Sequence, residues 1–449
     1  MNSITLGNKI SQIKNNQSHL SIMKKGDNTP GTSMLICGDL FLDERNNDTY
    51  ADRENKFRDT VKDLIKNTNI SLVNLESPAA LSSDKITKSG PALRMDPQVL
   101  SIIRQTGFDG VTLANNHIMD VGSDGLFDTI SYARSLGLRT CGAGKNIHDA
   151  IQPIFFLRPD GLRIAVFSFC EQEFGVADEN SPGSAWISHP SVFPEIKKCR
   201  DCADFILVIA HGGLELVPLS PLERQTQLRN FIDAGADMVI GHHPHVPQGW
   251  ENYQGKYIFY SLGNFIFDTY REVHQPGTDW GVAVQLQFDS KSLVGIDIFL
   301  TEQTGGAVQL MENGFSFNNR IEYLNELSHI IQDPELYLEY WQEIAIRMYN
   351  ERYIHRFSPP FFLDLINNFS GVIRKYLGKS PSYSTQINSK NIRADDLALL
   401  NMIRNESHSW TIKRALSVIT EQEPDMRGID TKPYVDKLLR WAADNNYPS

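Results

Sequence analysis

The sequence predicts a mixed α/β sandwich of two sheets, followed by an all-helical C-terminal extension. Short apolar runs alternate with stretches of helical spacing, which is typical of βαβ units and a largely parallel sheet. More closely spaced apolar runs follow and indicate added antiparallel strands. After about residue 318 the apolar residues recur at helical spacing. We therefore predict a disordered leader at 1–32, a sandwich domain at 33–305 and a helical extension at 318–449.

The βα part is predicted from apolar runs that end beside a polar residue. Residues 34–37 precede Gly38-Asp39 and residues 70–75 precede Glu76, so both runs are predicted as buried strands. Residues 51–67 are charged and have helical spacing. The alternation continues with predicted helix 98–106, strand 110–114, helix 125–136, strand 205–210, helix 222–234 and strand 237–240.

Turn residues predict the antiparallel part. The turn Pro159-Asp160-Gly161 separates the apolar runs 153–157 and 163–169, which predicts a β-hairpin. Further antiparallel strands are predicted at 256–260, 280–288 and 295–300.

The extension is predicted from helix caps and amphipathic spacing. Asp333 followed by Pro334 is a favourable helix start, since Asp caps the first turn and Pro fits the first helical position. Residues 362–369 and 435–442 carry apolar side chains at helical spacing. A Ser/Asn-rich loop near 379–391 is expected to interrupt the helices.

Composition limits the class of protein. The net charge of −11 argues against a nucleic-acid binder, which would normally carry a basic face. Five scattered cysteines are typical of a reducing compartment rather than a disulfide framework. We see no apolar run of the ~20 residues that an integral membrane segment needs, and no secretory signal in the first thirty residues. A cytoplasmic protein is expected.

Metal-ligating side chains follow the predicted strands at the points where the strands end. Carboxylate, amide and imidazole groups are the ligands of hard-to-borderline divalent metals, and α/β proteins usually bind ligands at the carboxyl ends of their strands. One histidine in such a place is usually structural, whereas five favour a metal or catalytic site. The histidines are His117, His211, His242, His243 and His245.

Carboxylates complete this predicted site. Asp39 and Glu76 follow the first two strands, and a carboxylate can bridge two cations, which an imidazole cannot do. Read alone, Asp39 would be a turn residue, and Asn116 with its neighbouring Asn would be a left-handed turn. His243 and His245 lie on one short loop and could reach two adjacent metals, or one metal if the loop curls at Pro244.

These groups suit metal-assisted hydrolysis. Divalent metals lower the pKa of a bound water and hold an anionic substrate. His117 is the candidate general acid for the leaving group. Arg94 is a candidate clamp for an anionic substrate, with an ordinary surface arginine as its alternative.

The order of these motifs resembles the bacterial CapA family of poly-γ-glutamate capsule biosynthesis proteins, also called PgsA. The resemblance covers about residues 33–300 and implies a metallophosphoesterase-like α/β sandwich. The motifs are Gly38-Asp39, Asn74-Leu75-Glu76, LANNHIMD at 113–120, Gly142-Ala143-Gly144, HGGLE at 211–215, GHHPH at 241–245 and YSLGNF at 260–265.

The resemblance implies a role for each matching residue. Asp39 corresponds to the first-motif carboxylate, Glu76 to the bridging carboxylate and Asn116 to an amide ligand, with His117 beside it in catalysis. His211, His243 and His245 correspond to the remaining ligands of one or two divalent ions, manganese, iron or zinc. Pocket and substrate contacts are expected from three further residues: Glu215, Glu251 and Asn264.

Two positions depart from the superfamily pattern. Phe41 stands where the first motif usually has a histidine, and Ile118 stands where an acid usually follows the Asn-His pair. Asp120 is the candidate replacement for that acid. Three functions stay open: a metal-dependent hydrolase of a phosphoester or related anionic substrate, a non-catalytic factor that binds the capsule polymer or its synthesis partners, and a γ-glutamyl amide hydrolase.

Overall fold

The computed structural model describes residues 19–24, 31–43, 49–82, 84–268, 275–357 and 394–444. The predicted helix at 362–369 and the predicted loop near 379–391 lie outside these residues. The strands are β1 Leu20–Lys24, β2 Thr32–Leu42, β3 Ile70–Leu75, β4 Gly110–Thr112, β5 Arg139–Cys141, β6 Ala143–Gly144, β7 Ile154–Leu157, β8 Arg163–Cys170, β9 Gly183–Ser184, β10 Phe205–His211, β11 Met238–His242, β12 Trp250–Tyr253, β13 Lys256–Phe259, β14 Asn264–Asp268, β15 Trp280–Asp289, β16 Ser292–Thr304 and β17 Ala307–Leu310. The helices are α1 Tyr50–Glu54, α2 Asp59–Lys66, α3 Gln98–Thr106, α4 Gly122–Ser135, α5 Ile147–Ala150, α6 Val192–Cys199, α7 Leu222–Asp233, α8 Phe315–Gln332, α9 Pro334–Met348, α10 Ile354–Phe357, α11 Ala394–Arg404, α12 Glu406–Ile419 and α13 Thr431–Ala443, with a π-helical turn at Tyr349–Tyr353.

The larger sheet combines parallel and antiparallel strands. Among the described residues its order is β1-β16-β15-β2-β3-β4-β5, with β14 also paired to β2 and β17 to β16. Strands β2 to β5 run parallel, as their alternation with helices predicts, and β15 and β16 form a long antiparallel hairpin. Strand β2 changes neighbour along its length, because its first half pairs with β15 and its second half pairs with β14.

The second sheet has the order β12-β13-β11-β10-β8-β7 within the described ranges. Its four inner strands are parallel, and β7 and β12 join them antiparallel. The predicted hairpin at 153–169 is confirmed as β7 and β8. The predicted mixed two-sheet α/β sandwich is therefore confirmed, although β13 pairs parallel with β11 as well as antiparallel with β12.

The core follows the alternation of side chains along the strands. On β2, Met34 and Ile36 belong to the apolar core shared with the second sheet, whereas Leu35 and Cys37 belong to a separate core that includes residues of α2, α3 and α4. Successive side chains of a strand point to opposite faces. A continuous apolar run such as 34–37 is therefore buried on both faces of the larger sheet.

The predicted disordered leader is wrong for part of its length. Leu20–Lys24 forms β1, which pairs antiparallel with β16 at the edge of the larger sheet. Leu20 is buried in the core, and the pairing satisfies backbone groups of the long edge strand. Residues 1–18 and 25–30 of that prediction lie outside the described residues.

The C-terminal helices share the core of the sandwich. Buried side chains of α8, α9, α12 and α13 belong to the same apolar cluster as the second sheet. Polar contacts also join them, since Tyr337 donates to the carbonyl of Ser220 at 2.8 Å and Gln225 donates to the carbonyl of Ile331 at 2.9 Å. The predicted helix start is confirmed, because Asp333 accepts hydrogen bonds from the first turn of α9. Across the described part of the chain, no helix has the length and apolar character needed to cross a membrane.

Candidate metal centre

The carboxyl ends of both sheets meet at one place. The larger sheet contributes Asp39 near the end of β2 and Glu76 immediately after β3. The second sheet contributes His211 and His242, the last residues of β10 and β11, which are paired in register. The HGGLE and GHHPH motifs thus begin side by side, opposite the ends of β2 and β3. This is the shared edge that the strand-end positions of these residues predict.

A close backbone approach at Gly38 sets the spacing of this edge. A Cβ atom on Gly38 would lie 2.1 Å from the carbonyl oxygen of Gly263, so no side chain fits there. The approach lets Asp39 donate its backbone N–H to Gly263 at 3.0 Å and places Asn264 in register with Asp39. Asn264 consequently lies beside the first-motif carboxylate.

Five side chains form two overlapping groups of metal-ligand type, and a sixth lies beside them. Glu76, His211 and His243 form one group, and Asp39, Glu76 and His245 form the other. Within each group the ligand atoms lie within 4.8 Å of one another. Asn116 joins the first group, because its Oδ1 lies 3.0 Å from Nε2 of His211. The structure therefore brings together all six residues that the sequence predicts as metal ligands.

Glu76 is the residue common to both groups. Its Oε1 lies 3.6 Å from Nε2 of His211 and 3.7 Å from Nε2 of His245. The residue is fully buried, and neither carboxylate oxygen has a hydrogen-bond partner among the residues that the structure describes. An isolated buried carboxylate costs several kcal/mol unless a cation or donors compensate it. The donor set therefore fits divalent cations shared through Glu76.

The H-x-H loop curls so that its two imidazoles serve different groups. His243 has φ 99° and His245 has φ 60°, in the left-handed region that non-glycine residues seldom adopt. The backbone N–H of His243 donates to Oδ2 of Asp39 at 3.1 Å, which holds the curled loop. Strained backbone of this kind concentrates at functional sites. Of the two arrangements left open by the sequence, the geometry matches one imidazole for each group.

Buried amides and one further histidine orient the ligands. Oδ1 of Asn264 lies 2.9 Å from Nδ1 of His245, which leaves Nε2 of that histidine for a metal. Asn74 donates to Asp39 at 2.8 Å, and Nδ1 of His242 lies 3.0 Å from the same carboxylate. Asn264, predicted as a substrate contact, thus has the position of a ligand-orienting residue.

Asn74 was not predicted as a site residue, and His242 was counted among the five histidines of the site without a specific contact. Asn74 lies two residues before Glu76, so its side chain is on the same side of β3. That spacing was the available signal for Asn74. His242 directly follows the apolar strand in GHHPH, but sequence alone does not say which of three neighbouring histidines faces Asp39.

The pKa shifts of Asp39, His211 and His243 favour the forms that bind metal. Burial raises the pKa of Asp39, but the imidazoles of His242, His211 and His245 outweigh it and hold the pKa well below the usual range. Burial, helped by the neighbouring imidazoles, lowers the pKa of His211 well below its ordinary value and that of His243 to about 3. Both imidazoles are therefore neutral at physiological pH, and neutral imidazole is the form that binds metal.

Burial and the neighbouring carboxylates act in the opposite direction on Glu76. They raise its pKa well above the ordinary value, with Asp39 and then Glu215 as the acids of largest effect. Burial likewise raises the pKa of Glu173 to about 7. Acidic groups crowded around neutral imidazoles attract cations.

His117 is held by an acid and a lysine beside the cluster. Its Nδ1 lies 2.7 Å from Oδ2 of Asp120, whose other oxygen accepts from Lys88 at 2.5 Å. Asp120 therefore takes the orienting position that Ile118 cannot supply, since Ile118 is buried in the apolar core. Burial, and then the charge of Lys88, lower the pKa of His117.

Phe41 also points into the core. It is buried against Phe267, with ring centroids 5.2 Å apart, so it brings no ligand to the cluster. His242 instead brings an imidazole to Asp39 from the opposite sheet.

Two other acids lie close to the ligands. Oε1 of Glu173, on the loop after β8, lies 4.0 Å from Nε2 of His243. Glu215 is exposed at the rim. Surrounding protein raises its pKa, but His243, His245 and His117 outweigh this and hold the pKa below its ordinary value. Glu173 is thus a further site residue that the sequence analysis did not find.

Two predicted substrate contacts have other partners in the structure. Glu251 is buried on β12, where Arg229 donates to both of its oxygens at 2.5 to 3.2 Å and Tyr260 donates at 2.6 Å. Arg94 donates to the backbone carbonyls of Leu81 and Ser82 at 3.0 and 2.9 Å. A role in substrate binding stays a prediction for both, and the paired carboxylate of Glu251 argues for a structural role.

The fold and this cluster define an α/β protein with a candidate binuclear metal centre between two sheets. The sequence model of the family described as bacterial capsule synthesis protein PGA_cap matches residues 33–269, more than half of the chain. The chain therefore belongs to this family. The match contains every predicted metal ligand, and the helices beyond residue 269 lie outside it.

Curated relatives agree with this family. The chain is 34% identical over 218 residues to the capsule biosynthesis protein CapA of Bacillus anthracis, a match to 46% of this chain and 53% of that protein. It is 36% identical over 200 residues to the PGA biosynthesis protein CapA of Bacillus subtilis (strain 168), covering 43% and 52%. A probable polyglutamine synthesis accessory protein of Mycobacterium tuberculosis is 28% identical over 213 residues, covering 45% and 56%. The matches span only about half the length of these relatives.

Solved structures give weaker likenesses. The protein TT1561 of Thermus thermophilus matches 60% of this chain and 98% of its own, with a TM-score of 0.34 and 8% identity. The 5'-nucleotidase of Candida albicans matches 70% and 58%, with a TM-score of 0.36 and 10% identity. We draw no argument about function from likenesses this low.

Proposed function

We propose that this chain is a metal-dependent hydrolase that acts in the synthesis of an anionic capsule polymer such as poly-γ-glutamate. Its substrate is a phosphoester or a related anionic bond. The capsule context is suggested by its family, and the relatives named above are described as proteins of capsule biosynthesis, PGA biosynthesis and polyglutamine synthesis. The choice of poly-γ-glutamate follows from the resemblance of the motifs. A cytoplasmic location and contacts with other capsule-synthesis proteins belong to the same proposal.

The buried carboxylate of Glu76 is the observation that carries the proposal. A capsule-binding surface without metal would gain nothing from an acid that has no partner among the described residues and is shared by two sets of ligand-type atoms. Keeping such a group costs stability unless cations compensate it. Asp39, Glu76, Asn116, His211, His243 and His245 would hold one or two ions of manganese, iron or zinc.

The chain's own groups have distinct parts in this reaction. Bound divalent ions would supply Lewis-acid activation of water and of the substrate. His117 would give a proton to the leaving group from Nε2, because Asp120 and Lys88 both lie against its Nδ1. Asn264 fixes the imidazole of His245, and Asn74 and His242 fix the carboxylate of Asp39.

Metal content and hydrolysis of a simple diester test the proposal together. Elemental mass spectrometry of the untagged full chain should give about one or two equivalents of manganese, iron or zinc. Bis(p-nitrophenyl) phosphate and γ-glutamyl-p-nitroanilide would then be assayed with each metal. Hydrolysis of the first supports the phosphoester reaction, whereas hydrolysis of the second alone would replace it with γ-glutamyl amide cleavage.

Matched histidine variants separate the site from the rest of the surface. His211→Ala should lose both metal and activity, while His148→Ala, which removes an exposed imidazole, should retain both. If the chain binds none of these metals after reconstitution, the hydrolase proposal fails and a polymer-assembly factor becomes the better explanation.

A further inference from the structure

The C-terminal helices reach the metal centre at the turn between α11 and α12. Ser407 donates through its hydroxyl to Oε1 of Glu171 at 2.8 Å and through its backbone to Oε2 at 3.3 Å. Glu406 accepts from the backbone of Gln172 at 2.7 Å and from Trp186 at 2.8 Å. Glu171 and Gln172 directly precede Glu173, which approaches His243. The turn at 404–408 is therefore fixed against the loop that borders the metal ligands.

Arg404 on this turn has unused hydrogen-bond donors. Its guanidinium lies over the ring of Phe174, with Cζ 4.0 Å from the ring centroid. Its Nε and Nη2 atoms are buried and have no hydrogen-bond partner within the described residues. Glu173, the neighbour of Phe174, lies within electrostatic range of Arg404 and 4.0 Å from His243. Arg404 thus has unpaired, enclosed donors against Phe174, which directly follows Glu173 in the chain.

His408 lies on the same side of the turn. Its Nδ1 is 2.8 Å from the hydroxyl of Tyr353, which fixes the ring. Both Glu215 and His243 act electrostatically with this imidazole. Residues of two separate helical segments therefore border the metal centre on the side of Glu173 and Glu215.

We propose that Arg404 binds a second acidic group of the substrate, a carboxylate or a phosphate, beside the metal centre. The planar guanidinium offers two parallel N–H donors that match either oxyanion. Stacking on Phe174 fixes the plane of the guanidinium and lowers the entropy lost on binding. A γ-linked glutamyl chain carries such a carboxylate on every residue, and a polyphosphate carries a phosphate next to the reacting one.

An unpaired guanidinium nitrogen is not sufficient by itself. Arg320 also has Nε and Nη2 without partners among the described residues, but it is completely buried and its Nη1 donates to the carbonyl of Trp441 at 2.8 Å. Arg320 therefore joins two helices in the core and is closed to a ligand. Arg404 is half-buried as a whole and stacks on Phe174, the neighbour of Glu173, but its Nε and Nη2 are enclosed, so a ligand reaches them only if the guanidinium turns toward its exposed side.

The inference rests on the proposed function for the identity of the ligand, and calorimetry on the metal-loaded full chain tests it without requiring turnover. Oligo-γ-glutamate and pyrophosphate would be titrated separately into wild type, Arg404→Gln and Arg404→Lys. The Gln variant should bind one of the two ligands roughly tenfold to a hundredfold more weakly. The Lys variant should lie between it and wild type, because it keeps the charge and loses the planar fork.

Lys413→Gln is the matched control, since it removes one positive charge from an exposed position on α12. A selective loss for oligo-γ-glutamate assigns a carboxylate site, a selective loss for pyrophosphate assigns a phosphate site, and a loss for both assigns a general oxyanion site. Equal affinities in Arg404→Gln and wild type, or an equal loss in Lys413→Gln, overturn the inference.

Hydrolysis of bis(p-nitrophenyl) phosphate, which has a single acidic group, reports separately on the proposed function. Lys413→Gln should keep the wild-type rate with this probe, and Arg404→Gln should keep the wild-type metal content. A wild type without hydrolysis would reject the hydrolase while the calorimetric difference still decides the role of Arg404.

Discussion

Glu76 and Glu251 are both buried acids of the sandwich, yet their surroundings are opposite. Glu251 has donors from Arg229 and Tyr260 on its two oxygens, whereas neither oxygen of Glu76 has a partner among the described residues. The loop beside Glu76 is also strained at His243 and His245. The comparison teaches that burial of charge does not mark a functional site. A buried carboxyl group without donors, surrounded by ligand-type atoms, does.

Among the variants that alter these buried acids and their surroundings, Glu76→Gln is expected to have the largest effect. Glu76→Gln removes the charge shared by both ligand groups, so metal affinity and diester hydrolysis should each fall by more than ~100-fold, beyond the usual loss for a ligand-orienting residue. Elemental analysis and hydrolysis rates measure this. Retained metal at wild-type affinity would show that Glu76 does not hold the ions.

The same variant has an opposite effect on stability without metal. Burial and neighbouring acids raise the pKa of Glu76 above its unfolded value of 4.5. Such a group favours folding below pH 4.5, and this contribution is lost as pH rises through the folded-state pKa. Metal-free Glu76→Gln should therefore be more stable than metal-free wild type at neutral and higher pH, with the difference vanishing below pH 4.5. Urea denaturation at several pH values is the measurement.

The second largest effect is expected at Glu251 and concerns the stability of the fold. Glu251→Gln leaves Arg229 without its carboxylate and should lower the free energy of unfolding by about 2–3 kcal/mol, less than for a fully enclosed pair, because Arg229 is partly exposed. Metal content should not change. Thermal unfolding and elemental analysis check both points, and a variant that folds normally but loses metal would place Glu251 in the site after all.

A third effect concerns orientation of the general acid. Asp120→Asn should reduce kcat for the diester by roughly tenfold to a hundredfold with metal retained. The charge of Asp120 raises the pKa of His117 against burial and Lys88, so its removal lowers that pKa. Because a general acid acts in its protonated form, activity should decline at lower pH than in wild type. An unchanged pH–rate profile would contradict the role of His117.

The smallest effect is expected at Asn264. Asn264→Ala frees Nδ1 of His245 and should weaken metal binding by roughly tenfold. Asn252→Ala, which alters an exposed amide near the end of β12, is the control. Competition with a chelator gives the affinities. No difference between the two variants would show that His245 is oriented without Asn264.

The two-sheet fold could be predicted because β periodicity and turn residues are local signals in the sequence. The six ligand candidates could be predicted because each follows the end of a strand, and the structure brings them together. Strand β1 was missed, because five residues within a polar leader pair only through tertiary contact with β16. Glu251 and Glu76 could not be separated by sequence, since the difference lies in partners distant along the chain. Glu173 and Arg404 were missed for the same reason: each reaches the site through an element that carries no motif.

The close backbone approach at Gly38 sets the spacing of the candidate ligands, and it requires that position 38 has no side chain. Asp39 and Asn264 are 225 positions apart, and a methyl group on Gly38, the residue before Asp39, would collide with the carbonyl of Gly263, the residue before Asn264. A substituted residue there would push β14 from β2 and carry Asn264, and with it the imidazole of His245, away from Asp39. The spacing of the candidate ligands is thus governed in part by a hydrogen atom on Gly38, which is not itself a ligand candidate.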